Sequence, residues 1–392
     1  MDRDGRVSVF AVGDVFPDVP DGAAAFRTLE PLFRTADVVF GNCEGVYSDR
    51  PARAPSHKHF CGAPRKHGAM LGDVGFDVMT CANNHMIDGG YEGLADTLAV
   101  LRDQGIAVTG AGEDIDEATR PAIVERAGLR IAFLGFCTVY PVGYEAREQR
   151  PGLAPLRVRT FYGDPDPNFW EPGIDPVITT VPFPEDLARY RAAIAAAREQ
   201  ADVVIVANHW GYSSWLEVLQ DYEIELARDA VAHGADAVLC HHHHSLRGIE
   251  IHDGRPIYYG LGTLVHHFTS IKISASDRAA REARFGARAS MSGDDDFPLF
   301  PFRADARKSG VATLDIARDG TVQAGFVPAM ILADGSTEPL RPGDERADDV
   351  AGYVERITAE SGFDTVFERT ERDGFMELRA AAADGSGPAA GH

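Results

Sequence analysis

The chain has 392 residues, long enough for one large α/β domain or two ordinary ones. With 44% hydrophobic and 25% charged residues it can bury a sizeable core, and 60 acidic against 38 basic residues give a formal net charge of −22. That charge argues against nucleic acid or an anionic membrane surface as a partner, though not against an anionic substrate met by bound metal cations.

The first residues, MDRDGRVSVFAVGD, hold no apolar leader, and no run of about 18 apolar residues occurs anywhere. The expectation is a cytoplasmic protein without a membrane anchor. The five cysteines are odd in number, lie mostly in apolar strand-like segments and lack zinc-finger spacing, which predicts reduced, buried thiols.

From the N-terminus, VSVFAVGD reads as a buried strand ending at Asp14, GAAAFRTLEPLFRTA as a helix, and DVVFGNCE as a strand ending at Glu44. FDVMTCANNH is a third strand, followed by the helix YEGLADTLAVLRDQG and the strand IAVTGAG. AIVERAGLRIAFLGF reads as a hairpin turning at Ala127-Gly128. Residues 138–183 are rich in Pro, Gly and aromatics with no periodicity, so they read as an irregular insert acting as a lid. DLARYRAAIAAAREQ is a helix leading to the strand ADVVIVANHWG; YEIELARDAVAHGA is a helix leading to DAVLCHHHH; IEIHDGRPIYYGLG is another hairpin. Residues 269–310 are a second irregular insert, whose Asp294-Asp295-Asp296 run reads as a solvated loop. A helical extension is expected over 341–380 and a disordered tail over 381–392.

Strand–helix–strand alternation implies mostly parallel sheets covered by helices, with chemistry collected past the carboxyl ends of the strands. Asp14, Glu44, His85, His209 and the run His241–His244 all stand at such ends. Neutral imidazole binds borderline divalent metals, and carboxylates bind and bridge them. A lone buried histidine is more often a satisfied core residue than a ligand. Four in a row at a strand end are hard to pack without a metal or a strong hydrogen-bond network, so at least two of the four read as ligands.

In order, the chain shows Gly13-Asp14, Asn42-Cys43-Glu44, Ala82-Asn83-Asn84-His85 with Asp88 and Gly90, Gly110-Ala111-Gly112 and His209-Trp210-Gly211. Cys240-His241-His242-His243-His244 with Gly248-Ile249-Glu250, and then Gly260-Leu261-Gly262-Thr263, complete the series. In this order the chain resembles the CapA, or poly-γ-glutamate capsule synthesis, family within the calcineurin-like metallophosphatase superfamily, over roughly residues 7–265. The resemblance implies a calcineurin-like α/β fold over 1–340, with layered β-sheets flanked by helices and a metal site at the strand C-terminal ends.

It implies two divalent ions, Mn, Fe or Zn. Asp14 and His244 would hold one, Asn84, His209 and His242 the other, and Glu44 would bridge. His85 would act as general acid, oriented by Asp88 or a neighbouring carbonyl. His243 stands where the family has Pro, Thr263 where it has Asn, and Phe16 where the superfamily has a histidine, so the Asp14 site is expected to be the weaker. His57, His59, His266 and His267 read as substrate contacts or surface residues, with metal ligation the lesser alternative for each.

The implied activity is hydrolysis of a phosphoester, or of a γ-glutamyl-type amide, in a small molecule or polymer, with a small-molecule or peptide-like and anionic substrate compatible. Three alternatives stand beside it: amide-bond formation, oxygen chemistry at iron, and a non-catalytic capsule accessory role. No phosphate-binding Gly loop followed by Lys and Ser/Thr is visible, which argues against a P-loop ligase. A homo-oligomer is compatible with all of these readings.

Overall fold

Alternation along the Val7–Phe16 strand sets out the layers. In a computed structural model, Val7, Val9 and Ala11 enter one buried cluster while Phe10 and Val12 enter another. It describes residues 6–383 apart from 51, 56–58, 167, 170, 213–216, 270, 272–273, 286–290 and 292. Successive strand side chains point to opposite faces, so a strand buried at every position is covered on both sides.

That strand sits in a ten-stranded mixed sheet. On one side, Val38–Cys43, Val78–Thr80 and Ala107–Thr109 follow in parallel. On the other, Lys308–Ile316, Val322–Ile331, Phe375–Ala382 and Thr365–Arg372 follow antiparallel. The short strand Thr263–His266 runs parallel beside its carboxyl end.

A second sheet of six strands runs in the order Ile249–His252, Arg255–Tyr258, Ala237–His241, Val203–His209, Leu129–Cys137, Ala122–Arg126. Its four inner strands are parallel and its two edges are the expected hairpins. The sheets pack face to face through one apolar core, where Phe40 of the first stacks on Phe133 of the second with centroids 5.2 Å apart. Truncating either ring would leave a cavity costing about 3–5 kcal/mol.

Helices Arg65–Val74 and Gly90–Asp103 cover the outer face of the first sheet with Leu71, Leu94, Leu98 and Leu101. Helices Pro184–Gln200 and Asp221–Ala232 cover the second with Tyr190, Ile194 and Leu226. The result is the α/β class expected, with layered sheets between helices. All five cysteines are buried, and among the described residues no helix is long and apolar enough to cross a membrane.

Several segments depart from the sequence expectations. GAAAFRTLEPLFRTA is broken into a 3₁₀ turn, Gly22–Phe26, and a single helical turn, Glu30–Phe33. Pro31 explains the break, because it lacks the N–H that would bond the Arg27 carbonyl four residues back and its ring clashes with that carbonyl. The insert 138–183 is not wholly irregular, since Val158–Gly163 pairs antiparallel with Val177–Pro182. The second insert contains a helix, Ala275–Phe285. In 341–380 only Glu345–Glu360 is helical, and the rest forms the antiparallel pair that closes the edge of the large sheet. The disordered tail expected over 381–392 starts too early, since Ala381 and Ala382 still belong to the last strand, and residues 384 onward lie outside the described residues.

Candidate metal centre

The parallel strands of both sheets bring their carboxyl ends to one place. Register sets Asp14 opposite Asn42 and Thr263 within the first sheet, and His209 opposite His241 within the second. Gly13 allows the tightest approach. A Cβ there would stand 2.1 Å from the Gly262 carbonyl oxygen, so only glycine lets Asp14 N donate to that oxygen at 3.0 Å.

The histidine run divides its four rings between tasks. His241 still belongs to its strand, and its Nε2 lies 3.1 Å from the Val12 carbonyl oxygen, tying the two sheets together. His242 and His244 have φ of +95° and +53°, a left-handed geometry that costs non-glycine residues about 1–3 kcal/mol. Both reach the carboxylate cluster, while His243 turns the other way and meets buried Glu223, Nε2 to Oε1, at 2.8 Å.

Glu44 is wholly buried and belongs to two trios whose donor atoms lie within 4.8 Å of one another, Glu44/His209/His242 and Asp14/Glu44/His244. In the first, His209 Nε2 lies 3.1 Å from His242 Nδ1, 3.1 Å from Asn84 Oδ1 and 3.6 Å from Glu44 Oε1. In the second, His244 Nδ1 lies 3.1 Å from Asp14 Oδ2 and Nε2 lies 3.7 Å from Glu44 Oε1. Donors about 2.1 Å from one ion stand roughly 3.0 Å apart at a right angle and about 4.2 Å apart when opposed, so the spacings around His209 Nε2 suit a shared ion, whereas His244 meets Asp14 and Glu44 through different nitrogens, only one of which can bind a given ion. Only His242 among these residues is more than marginally exposed, so the centre opens at its ring.

The electrostatics agree. Burial pushes the Asp14 carboxyl up, but the His244 hydrogen bond and the nearby His244, His209 and His241 outweigh it and hold the group far below the usual carboxylate range. Burial, then His242, pushes His209 well down. An ionised Asp14 carboxylate and a neutral His209 imidazole are forms in which these groups bind metal.

His85 and Asp88 stand next to this centre, with His85 Nδ1 2.5 Å from Asp88 Oδ2. Asp88 is held in turn by the Cys61 amide at 2.9 Å and the Tyr144 hydroxyl at 3.2 Å, which leaves His85 Nε2 facing Cys61 Sγ at 3.7 Å.

The structure thus brings together Asp14, Glu44, Asn84, His209, His242 and His244, with His85 and Asp88 beside them. Two further expectations need correction: His266 and His267 are not surface residues, being 3% and 2% exposed. His57 lies outside the described residues, and His59 is partly buried.

Several supporting residues escaped sequence reasoning. Asn42 donates to Asp14 Oδ1 at 2.8 Å and lies 3.2 Å from His209 Nδ1, fixing both. Asn83 donates to Asn42 Oδ1 at 3.0 Å and to the Cys43 carbonyl at 2.7 Å. Both sit in the quoted N-C-E and A-N-N-H stretches, which was the available signal. Tyr144 comes from the first insert, and nothing local in the sequence marks it.

The family model described as bacterial capsule synthesis protein PGA_cap matches residues 8–267, which include every residue of this centre. The chain belongs to that family. It is 31% identical over 243 residues to the PGA biosynthesis protein CapA of Bacillus subtilis, covering 61% of this chain and 56% of that protein. It is 33% identical over 198 residues to a probable polyglutamine synthesis accessory protein of Mycobacterium tuberculosis, covering 50% and 46%. The capsule biosynthesis protein CapA of Bacillus anthracis is 27% identical over 245 residues, covering 61% and 53%. The chain therefore spans about half the length of these relatives.

Proposed function

We propose that this PGA_cap chain is a dinuclear metal-dependent hydrolase of calcineurin-like type, acting on a phosphoester or a γ-glutamyl-type amide. The observation that carries the reading is the buried Glu44 carboxylate shared by two trios of nitrogen and oxygen donors. Asp14 and His244 would hold one ion, Asn84, His209 and His242 the other, with Glu44 between them. Two such ions, Mn, Fe or Zn, supply an activated water and stabilise charge at a phosphoryl or carbonyl centre.

The chain's own residues do the rest. Asn42 keeps Asp14 and His209 in position. The hydrogen bond to Asp88 fixes the His85 ring, so His85 Nε2 is the atom that can carry a proton to a leaving group. The names of the relatives favour a polyglutamate-type polymer among the candidate substrates, and they support a second reading, an accessory role in its synthesis without catalysis.

The test is turnover by metal-reconstituted protein of a nitrophenyl phosphodiester, a γ-glutamyl anilide and poly-γ-glutamate. Hydrolysis of at least one, abolished in His209→Ala, is expected. A folded, metal-loaded protein inert toward all three would favour the accessory reading.

A further inference from the structure

We propose that His266 is a fourth protein ligand, joining Asp14, Glu44 and His244 on their ion; this rests on the metal reading above. His266 ends the short strand Thr263–His266, opposite Phe16 in register, just past the strand end that carries Asp14. Phe16 offers no donor atom at that level of the sheet. The imidazole beside it does.

The ring is 3% exposed, and among the described residues neither its Nδ1 nor its Nε2 has a hydrogen-bond partner. A buried imidazole that served only packing would place its N–H on an acceptor, because leaving it unanswered costs free energy. Instead, Nε2 lies 3.9 Å from Glu44 Oε2, too far for a hydrogen bond. That spacing falls within the roughly 3.0–4.2 Å expected of two donors about 2.1 Å from one ion, although His266 stands outside the 4.8 Å span that holds Asp14, Glu44 and His244 together, so its ring must shift toward them to bind.

The ring's orientation is set from three sides. It stacks on Phe268 with centroids 4.0 Å apart and planes at 15°, lies 5.3 Å from the Phe16 ring, and meets the edge of His244 at 5.7 Å. The second insert completes the enclosure, since Phe302 packs on His244 at 4.6 Å and on Phe268 at 5.0 Å. Apolar walls of this kind fix a ligand's direction and keep competing water away.

With His266 the ion gains a second imidazole, and its ligand set becomes two carboxylates and two imidazoles. That set selects Mn, Fe, Co or Zn over Mg or Ca, which prefer oxygen donors. It also offsets the weakness expected of this position from Phe16.

The experiment compares metal-free wild type with His266→Phe, which keeps an aromatic ring between Phe16 and Phe268 but removes both nitrogens, and with His266→Gln. Each is titrated with Co(II), with stoichiometry read by elemental analysis after dialysis and folding by circular dichroism. Two ions in wild type are expected. In the variants, one ion should bind as before and the other at least about 10–100-fold more weakly, since losing even an indirect partner of a ligand costs that much. Variants that bind both ions with wild-type affinity overturn the assignment and leave the two-ion reading standing. A wild type that binds no ion overturns both. Should neither variant fold, crystals of Co(II)-loaded wild type decide: Nε2 about 2.1 Å from an ion supports the assignment, and a separation beyond hydrogen-bond distance sinks it.

Discussion

His243→Ala separates the two directions taken by the histidine run. The imidazole is fully enclosed, and its Nε2 lies 2.8 Å from Glu223 Oε1. The other carboxylate oxygen, Oε2, accepts from the Gln220 amide at 2.7 Å as part of the cap that starts helix Asp221–Ala232. Gly211 presses against the same pair, for a Cβ there would stand 2.1 Å from His243 Nε2. Removing the ring leaves a buried carboxylate oxygen without its imidazole, beside a new void. Breaking one side of a buried pair costs about 3–5 kcal/mol.

The unfolding entropy of about 2.1 cal/mol/K per residue, over 392 residues, comes to about 0.8 kcal/mol/K, so Tm should fall by about 4–6 °C. Because the ring points away from Glu44, metal content per folded chain should not change. Thermal denaturation by circular dichroism with elemental analysis of the same samples checks both halves. If His243→Ala lost an ion, as His242→Ala should, the assignment of ring directions in the run would be wrong by one residue.

Three further outcomes are expected. His209→Ala and His242→Ala should each release the ion shared with Asn84 and abolish nearly all turnover, and retention of two ions by either would remove it from the ligand set. His85→Asn should keep both ions while lowering kcat by about 10²–10⁴-fold, with a smaller loss for substrates whose leaving groups need no proton; an equal loss for good and poor leaving groups would count against proton donation. The metal-free protein should lose stability on acidification below about pH 6.5, because burial holds His209, His241 and His266 below the ordinary histidine value and the unfolded chain takes up those protons first. Each group contributes at most about 1.4 kcal/mol per pH unit, so a Tm that is flat or rising from pH 7.5 to 5.5 would contradict this.

Much of the centre was legible because strand ends are local features. An apolar run that stops at Asp14, Glu44 or His209 announces both a buried strand and a polar group beyond it. The antiparallel strands Lys308–Ile316 and Val322–Ile331 were also within reach, since VATLDI and the Asp319-Gly320 turn carry the alternation and the punctuation of a hairpin. They were overlooked because the signal lies past the strand–helix alternation that dominates the first 265 residues. His266 is different in kind. In VHHF it reads as one of two adjacent polar residues, while the rings around it include Phe16 and His244, distant in sequence, and a Phe268 that packs in turn on Phe300 and Phe302 across an insert with little regular structure. No local window holds that information. The same is true of Tyr144, whose hydroxyl reaches Asp88 from the first insert.

The claim on which the account stands is that Glu44 lies between two ions. Crystals of the Mn(II)-loaded protein, measured near the manganese absorption edge, test it directly. Two anomalous peaks about 3.5–4 Å apart are expected, one beside Asp14 and His244 and one beside Asn84, His209 and His242, with the Glu44 carboxylate touching both. A single peak, or two peaks that leave Glu44 uncoordinated, would contradict it.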